Sequence, residues 1–106
     1  MKHIKQERHY LHMLASGEPR QVKSLLRSAS QDQVNIISEI ASNVLSGVIK
    51  LSGKDKTDLQ PHAKIIRAVG RKENKLSTRR SSIYKHWQAV AVLLKIALKT
   101  LNKIWL

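Results

Sequence analysis

The chain has 106 residues, enough for one small domain with a modest hydrophobic core but not for two. It contains no cysteine, which excludes disulfides and thiolate metal sites. Twenty Lys and Arg residues against seven Asp and Glu give a net charge of +13, so a polyanion or an anionic surface is the first partner to consider.

The first segments predict two short helices. The N-terminus has no apolar run long enough for a signal-peptide core, which favours a cytosolic or nuclear start. Residues 2–15 have a loosely helical apolar spacing that stops at Gly17. Pro19 suits the first position of a second helix. The apolar residues of that helix fall on one face: Val22, Leu25, Leu26 and Ala29.

The strongest helix pattern runs from Asp32 to Gly47, and we expect this helix to organise the fold. Asp32 can cap its first turn, and Gly47 can adopt the left-handed conformation that ends it. The apolar residues follow helical spacing: Val34, Ile37, Ile40, Ala41, Val44 and Leu45, with Ile36 beside them. The opposite face carries Ser38, Ser42 and Ser46, which predicts that other segments cover it in part.

A brief apolar extension after Gly47, formed by Val48, Ile49 and Leu51, is expected to pack back against this helix. A fourth helix then runs to Gly70, beginning at Ser52 or at Thr57. Because Pro61 is tolerated only in the first turn of a helix, we expect the later start.

The remaining third of the chain is strongly basic and has no acid beyond Glu73. Residues 71–80 lack helical periodicity and are interpreted as a basic linker or anion-contact surface. Residues 81–106 have the pattern of one long basic amphipathic helix. The predicted organisation is a helical domain at 1–70, a linker at 71–80 and the C-terminal helix at 81–106. The predicted fold is all-α, a small bundle of four to five helices that includes this last one.

From Leu11 to about Ile83 the chain resembles small basic proteins encoded by Maverick/Polinton-type virus-like DNA transposons and related adenovirus-like elements. The matching features are LHMLASGEPRQVKSLLRSA, ISEIASNVLSGVIKLS, a Leu59, His62, Ile66, Arg67 spacing and a basic RK…RR run. The resemblance implies a virion core or minor virion protein and brings no catalytic residues. The family's glycine-rich tail is replaced here by SSIYKHWQAVAVLLKIALKTLNKIWL.

The sequence contains little that points to catalysis, so we do not expect an enzyme, a cofactor or a metal. His9 and His12 share a helix face but lack third and fourth ligands. The glycines are isolated and form no phosphate-binding loop. A helix-turn-helix is disfavoured because its recognition helix, Asp32–Gly47, contains no Lys or Arg.

These observations favour a sequence-independent nucleic-acid-binding protein of a virus-like element, acting in virion core formation or genome packaging. Its expected location is the host nucleus or the virion, with the cytoplasm as the alternative. Capsid proteins are further expected partners. The expected phosphate-binding residues are Lys64, Arg67, Arg71, Lys72, Lys75, Arg79 and Arg80.

The C-terminal helix supports two alternative functions. A minor capsid or membrane-active protein would bind an anionic membrane surface through this helix, and a helical interaction module would use it for a partner or a second copy. The residues concerned are Trp87, Leu94, Lys95, Lys99, Leu101, Lys103 and Trp105. In the free protein we expect the apolar face of this helix to be buried by protein, because an exposed stripe of that size would aggregate.

Overall fold

The computed structural model describes residues 6–105, with side chains described as far as Leu101. This part of the chain contains no strand, which confirms the all-α prediction. It forms α1 (Arg8–Ser16), α2 (Pro19–Arg27), α3 (Gln31–Leu45), α4 (Gly53–Leu59), a 3₁₀ turn (Gln60–His62), α5 (Ala63–Gly70), α6 (Leu76–Lys85) and α7 (Trp87–Trp105). Within the described residues the helices are therefore more numerous than the four or five expected.

Helix α7 lies at the centre of the bundle and contacts each of the other six helices. Its buried face covers about 200° of the helix circumference at 100° per residue, which requires cover from several neighbours. The buried residues are Ala89, Val90, Leu93, Leu94, Ile96, Ala97, Leu98 and Leu101. The burial of the C-terminal helix by protein is thus as expected, but this helix, rather than α3, is the one that touches all the others.

Helix α3 packs most of its predicted apolar face into the same core, but the prediction is wrong for Leu45, which is 46% exposed at the end of the helix. Val34, Ile37, Ile40 and Ala41 are fully buried. Ser38 is buried and Ser46 is exposed, so the serine face is covered in part, as expected. The predicted cap at Asp32 is wrong, because Ser30 accepts a hydrogen bond from the Gln33 backbone nitrogen and the Gln33 side chain accepts one from the Ser30 nitrogen.

The chain turns sharply after α3. Gly47 has φ +83°, as the sequence predicted, and the Ile49 backbone nitrogen donates to the Asn43 carbonyl. This turn buries Ile49 against the core, as expected, but the expectation that Val48 also packs back is wrong, because its side chain faces solvent.

The fourth predicted helix begins earlier than expected. The Ser52 hydroxyl accepts a hydrogen bond from the Asp55 nitrogen and caps α4, so the predicted start at Thr57 is wrong. Pro61 does not end the helical path. It lies in a 3₁₀ turn, where its missing N–H is tolerated, and the chain continues as α5.

The C-terminal third also differs from its predicted division. The linker expected at 71–80 is a short turn followed by α6, and the helix expected at 81–106 is interrupted at His86. Leu11, Ile40, Ile83 and Leu94 belong to one hydrophobic cluster. Within the described residues, the three predicted segments therefore contribute side chains to one hydrophobic core.

Tyr10 joins α1 to α2, because its hydroxyl group donates a hydrogen bond to the Leu25 carbonyl oxygen at 3.2 Å. Burial, with a smaller contribution from Glu7, raises the pKa of Tyr10 to about 12. The pKa of Tyr10 in the folded state thus lies above the ordinary value of about 10. The stability that the protonated, buried Tyr10 contributes is therefore complete below pH 10 and is lost as the pH rises toward 12.

Two glycines give a matched test of the turn after α3. An added Cβ meets no atom within 4 Å at either Gly47 or Gly53, so space does not distinguish them. Gly47→Ala should lower the free energy of unfolding by about 1–2 kcal/mol, because Ala is strained at positive φ. Gly53→Ala should be neutral or stabilise by up to about 1 kcal/mol in the same urea titration. Equal changes in the free energy of unfolding for the two variants would contradict the left-handed conformation of Gly47.

A second pair of substitutions tests the central position of α7. Leu94→Ala should lower the free energy of unfolding by about 2–5 kcal/mol, since the side chain is completely buried. Leu45→Ala removes the same atoms from a side chain that is 46% exposed and should cost less than about 1 kcal/mol. A loss at Leu94 no larger than that at Leu45 would show that α7 is not part of the core.

Candidate nucleic-acid interface

Helix α5 presents Lys64 and Arg67 on its outer side, and Arg71 follows directly after its last residue. Lys64, Arg67 and Arg71 follow one another at i, i+3 and i+7 and are all exposed. Lys64 and Arg67 lie about 4.5 Å apart along the helix axis at 1.5 Å per residue. Ile66 and Val69 are buried on the opposite side, and the helix contacts α3. The amphipathic pattern of α5 thus fixes which way its charges point.

The close approach of α5 to α3 holds this orientation. A Cβ added at Gly70 would lie 3.2 Å from the Ser42 backbone nitrogen and 3.5 Å from the Ala41 Cβ. The small residues at this crossing bring the two backbones close together. The small side chain of Ser42 therefore allows α5 to pack closely against α3. This packing turns the charged side of α5 outward.

The turn after α5 adds two more cations. Lys72 and Lys75 are exposed. Asn74 closes the turn by donating its side-chain amide to the Ala68 carbonyl at 3.2 Å and its backbone nitrogen to the Arg71 carbonyl at 3.1 Å. The turn is thus ordered by its own hydrogen bonds before any partner binds.

We call Lys64, Arg67, Arg71, Lys72 and Lys75 together the α5 surface. None of these five side chains makes a hydrogen bond or an ion pair with another described residue. Glu73 is the one acid in the turn that carries Lys72 and Lys75. Because their charges are neither paired nor buried, all five are available to an anionic partner.

Arg79 was predicted to bind phosphate, but it is buried and does not belong with these exposed cations. Its side chain is only 7% exposed. It donates to Asn35 Oδ1 at 3.0 Å, to Ser38 Oγ at 2.9 Å and, through Nε, to the Asn74 carbonyl at 3.2 Å. Arg79 therefore joins α6 to α3 and fixes the turn that carries Lys72 and Lys75.

Arg80 also has a structural role that the sequence did not suggest. It is half-buried, and its Nε donates to the Ala29 carbonyl at 3.0 Å in the connection between α2 and α3. The helical register of α6 explains both corrections. A solvated linker would leave both arginines free, whereas a helix packed on α2 and α3 turns them inward.

A second basic feature was missed by the sequence analysis. Lys23 Nζ lies 5.3 Å from the centre of the Trp87 ring, and Arg27 lies 5.1 Å from that of Tyr84, whose hydroxyl also accepts a hydrogen bond from Arg27. We call these four residues the α2–α6 patch. The helical i, i+3, i+7 spacing of Arg20, Lys23 and Arg27 was a usable signal for the cations, but their aromatic partners lie more than 50 positions away and had no local signal.

One residue of the α2–α6 patch lies near the start of α5. His62 and Ile65, next to Lys64, line a small cavity together with Lys85, His86 and Trp87. This cavity brings the junction of α6 and α7 beside the start of α5. The start of α5 therefore lies close to Trp87, one of the aromatic residues of the α2–α6 patch.

The residues predicted for a membrane or partner helix are divided by the fold. Leu94 and Leu101 are buried, and Trp87 is half-buried under Lys23. Lys95 and Lys99 are exposed, and Lys99 lies 3.5 Å from Asp55 of α4. The side chains of Lys103 and Trp105 lie outside the described residues. In this conformation the described apolar face of α7 is covered by protein.

Among the side chains that the structure describes, no group of three or more His, Asp or Glu is placed to hold a metal ion. No helix in the described part of the chain is both long and apolar enough to cross a bilayer.

Comparison with protein-family models, curated proteins and solved structures finds no match to this chain. The resemblance to the transposon-encoded proteins therefore stays a prediction from the motifs.

Two arginine substitutions distinguish structural cations from free ones. Arg79→Ala should lower the free energy of unfolding by about 2–4 kcal/mol, because it removes three hydrogen bonds and leaves buried acceptors unpaired. Arg71→Ala should change it by less than about 0.5 kcal/mol, as expected for an exposed side chain. Thermal and urea unfolding followed by circular dichroism measures both, and similar losses for the two variants would contradict the assignment.

Proposed function

We propose that the protein is a non-enzymatic nucleic-acid-binding protein that contacts phosphates through the α5 surface without reading sequence. The observation that carries this proposal is the set of five exposed, unpaired cations on α5 and the following turn. Lys and Arg side chains of this kind position a protein on a phosphate backbone but do not distinguish bases.

The chemistry of the α5 surface favours nucleic acid over a membrane. An interfacial helix needs large apolar side chains beside its cations, so that they enter the bilayer. The exposed side of α5 carries Ala68 between Lys64, Arg67 and Arg71, and no larger apolar residue. A repeating phosphate chain fits such a surface better than a bilayer does.

The α2–α6 patch extends this surface. Lys23 and Arg27 rest against aromatic rings, which reduces their freedom of movement and lowers the entropy lost when they contact a phosphate. Together the two features offer seven cations to one backbone. Binding should therefore depend steeply on salt, because each phosphate contact releases counterions.

The biological setting is proposed from the sequence resemblance. A protein of a virus-like element with this surface would neutralise genome charge in the virion core or during packaging, in the host nucleus or the virion. The membrane alternative would require α7 to leave the bundle, since Leu94 and Leu101 are buried within the chain. Association of two copies through the same face of α7 would also require α7 to leave the bundle.

A salt titration tests the proposed site. Changing Lys64, Arg67, Arg71 and Lys72 to Gln should reduce the dependence of log K on log salt by up to about 3–4 units for duplex DNA, if all four contact phosphates. Fluorescence anisotropy with two unrelated duplexes gives the slope, and the wild-type affinities for the two should agree within about threefold, since phosphate contacts carry no sequence information.

The matched control changes Lys50, Lys54, Lys56 and Lys95 to Gln, which removes the same charge from exposed positions elsewhere. The slope of this control should stay close to that of the wild type. If both variants lose the same slope, binding follows net charge alone and the α5 surface is not the site. Binding to anionic vesicles that exceeds binding to DNA would favour the membrane alternative.

A further inference from the structure

An apolar groove lies between the end of α3, the turn at Gly47 and the α4–α5 segment. It has a volume of about 560 Å³ and is open to solvent along one side. Its apolar lining comes from Val44, Ile49, Leu51, Leu59, Ala63 and Ile66. A volume in the range of ligand sites, with a mainly apolar lining, marks it as a candidate binding site.

One exposed apolar side chain lines this groove, and a second is adjacent to it in sequence. Leu45, at 46% exposure, lines it, and Val48, at 66%, lies beside the lining residues Gly47 and Ile49. Among the described residues these two are the exposed large hydrophobic side chains. Their concentration at one site, rather than their exposure alone, indicates a contact surface.

The charged residues that line the groove are all positive. Lys50 and Lys56 are its charged lining residues within the described part of the chain, and no acid lines it. Asp55, which is next in sequence to Lys56, lies 3.5 Å from Lys99 of α7. The groove is therefore apolar along its floor and positive along its edge.

These features discriminate between possible occupants. A second copy of this chain would bring another net charge of +13, with its own lysines, against the same surface. A free fatty acid would be left exposed along the open side, whereas small-ligand sites bury about 70–90% of their ligand. An amphipathic helix keeps its polar side in water and fits an open groove.

We propose that this groove binds an acidic amphipathic helix of a partner protein. Apolar side chains at i, i+3 or i+4, and i+7 of the partner enter the groove, and its carboxylates face Lys50 and Lys56. The proposal does not depend on nucleic-acid binding. Ala63 and Ile66 line the groove while Lys64 and Arg67 are exposed on the outer side of the same α5 helix. One small protein can thus hold a partner and a nucleic acid at the same time.

The probe is a fluorescein-labelled peptide of about 14 residues, four helical turns, with leucines on one face and glutamates on both flanks. A scrambled peptide of identical composition controls for simple charge attraction. The full-length protein should bind the amphipathic peptide at least about tenfold more tightly than the scrambled one, because only the former presents an apolar face. Hydrogen exchange should show protection at residues 44–51 on binding.

Two double variants test the two features of the groove. Leu45→Ser with Val48→Ser should weaken amphipathic peptide binding by about tenfold, because apolar contact area is lost. Lys50→Glu with Lys56→Glu should weaken it by about fivefold or more through loss of attraction. Lys54→Glu with Lys95→Glu makes the same charge change at exposed positions outside the groove and should have a smaller effect.

Four outcomes would overturn the proposal. Equal binding of the amphipathic and scrambled peptides, or no protection at residues 44–51, would show that the groove does not select an amphipathic helix. Binding of oleate in the groove without binding of the peptide would identify a lipid ligand instead. A wild-type dimer in sedimentation equilibrium that the Leu45→Ser, Val48→Ser variant abolishes would identify a second copy as the occupant.

Discussion

Burial of α7 is the constraint on which the rest of this structure depends. A chain of this size with a net charge of +13 works against its own folding by charge repulsion, so a large apolar contact area has to offset it. Helix α7 supplies that area by contacting all six other helices. The exposed lysines of the same helix, Lys95 and Lys99, remain at the surface, where water and salt screen them.

The fold separates cations that hold the structure from cations that are free for a partner. Arg79 is buried against neutral acceptors, Asn35 and Ser38, and organises the turn after α5. Arg80 closes the connection between α2 and α3. These contacts place Lys72 and Lys75 on the same ordered surface as the outward side of α5. A basic run that looks uniform in the sequence therefore contains two kinds of residue, distinguished by tertiary contacts.

Local patterns in the sequence were sufficient for part of this account. Helical periodicity identified the core face of α3, and Gly47 was recognised as a left-handed cap. Patterns failed where long-range packing decides the outcome. Nothing near Arg79 indicates that Ser38, 41 positions earlier, will accept its hydrogen bond. The apolar groove was also missed, because its lining comes from segments that only the turn at Gly47 brings together.

The division between free and structural arginines can be measured directly on their side-chain Nε–H groups. In a ¹H–¹⁵N NMR titration of the full-length protein with duplex DNA, the Nε signals of Arg67 and Arg71 should shift with increasing DNA and recover with added salt. The Nε signal of Arg79, which donates to the Asn74 carbonyl, should stay in place. A large shift at Arg79 with no change at Arg67 and Arg71 would contradict both the proposed site and the structural role of the buried arginine.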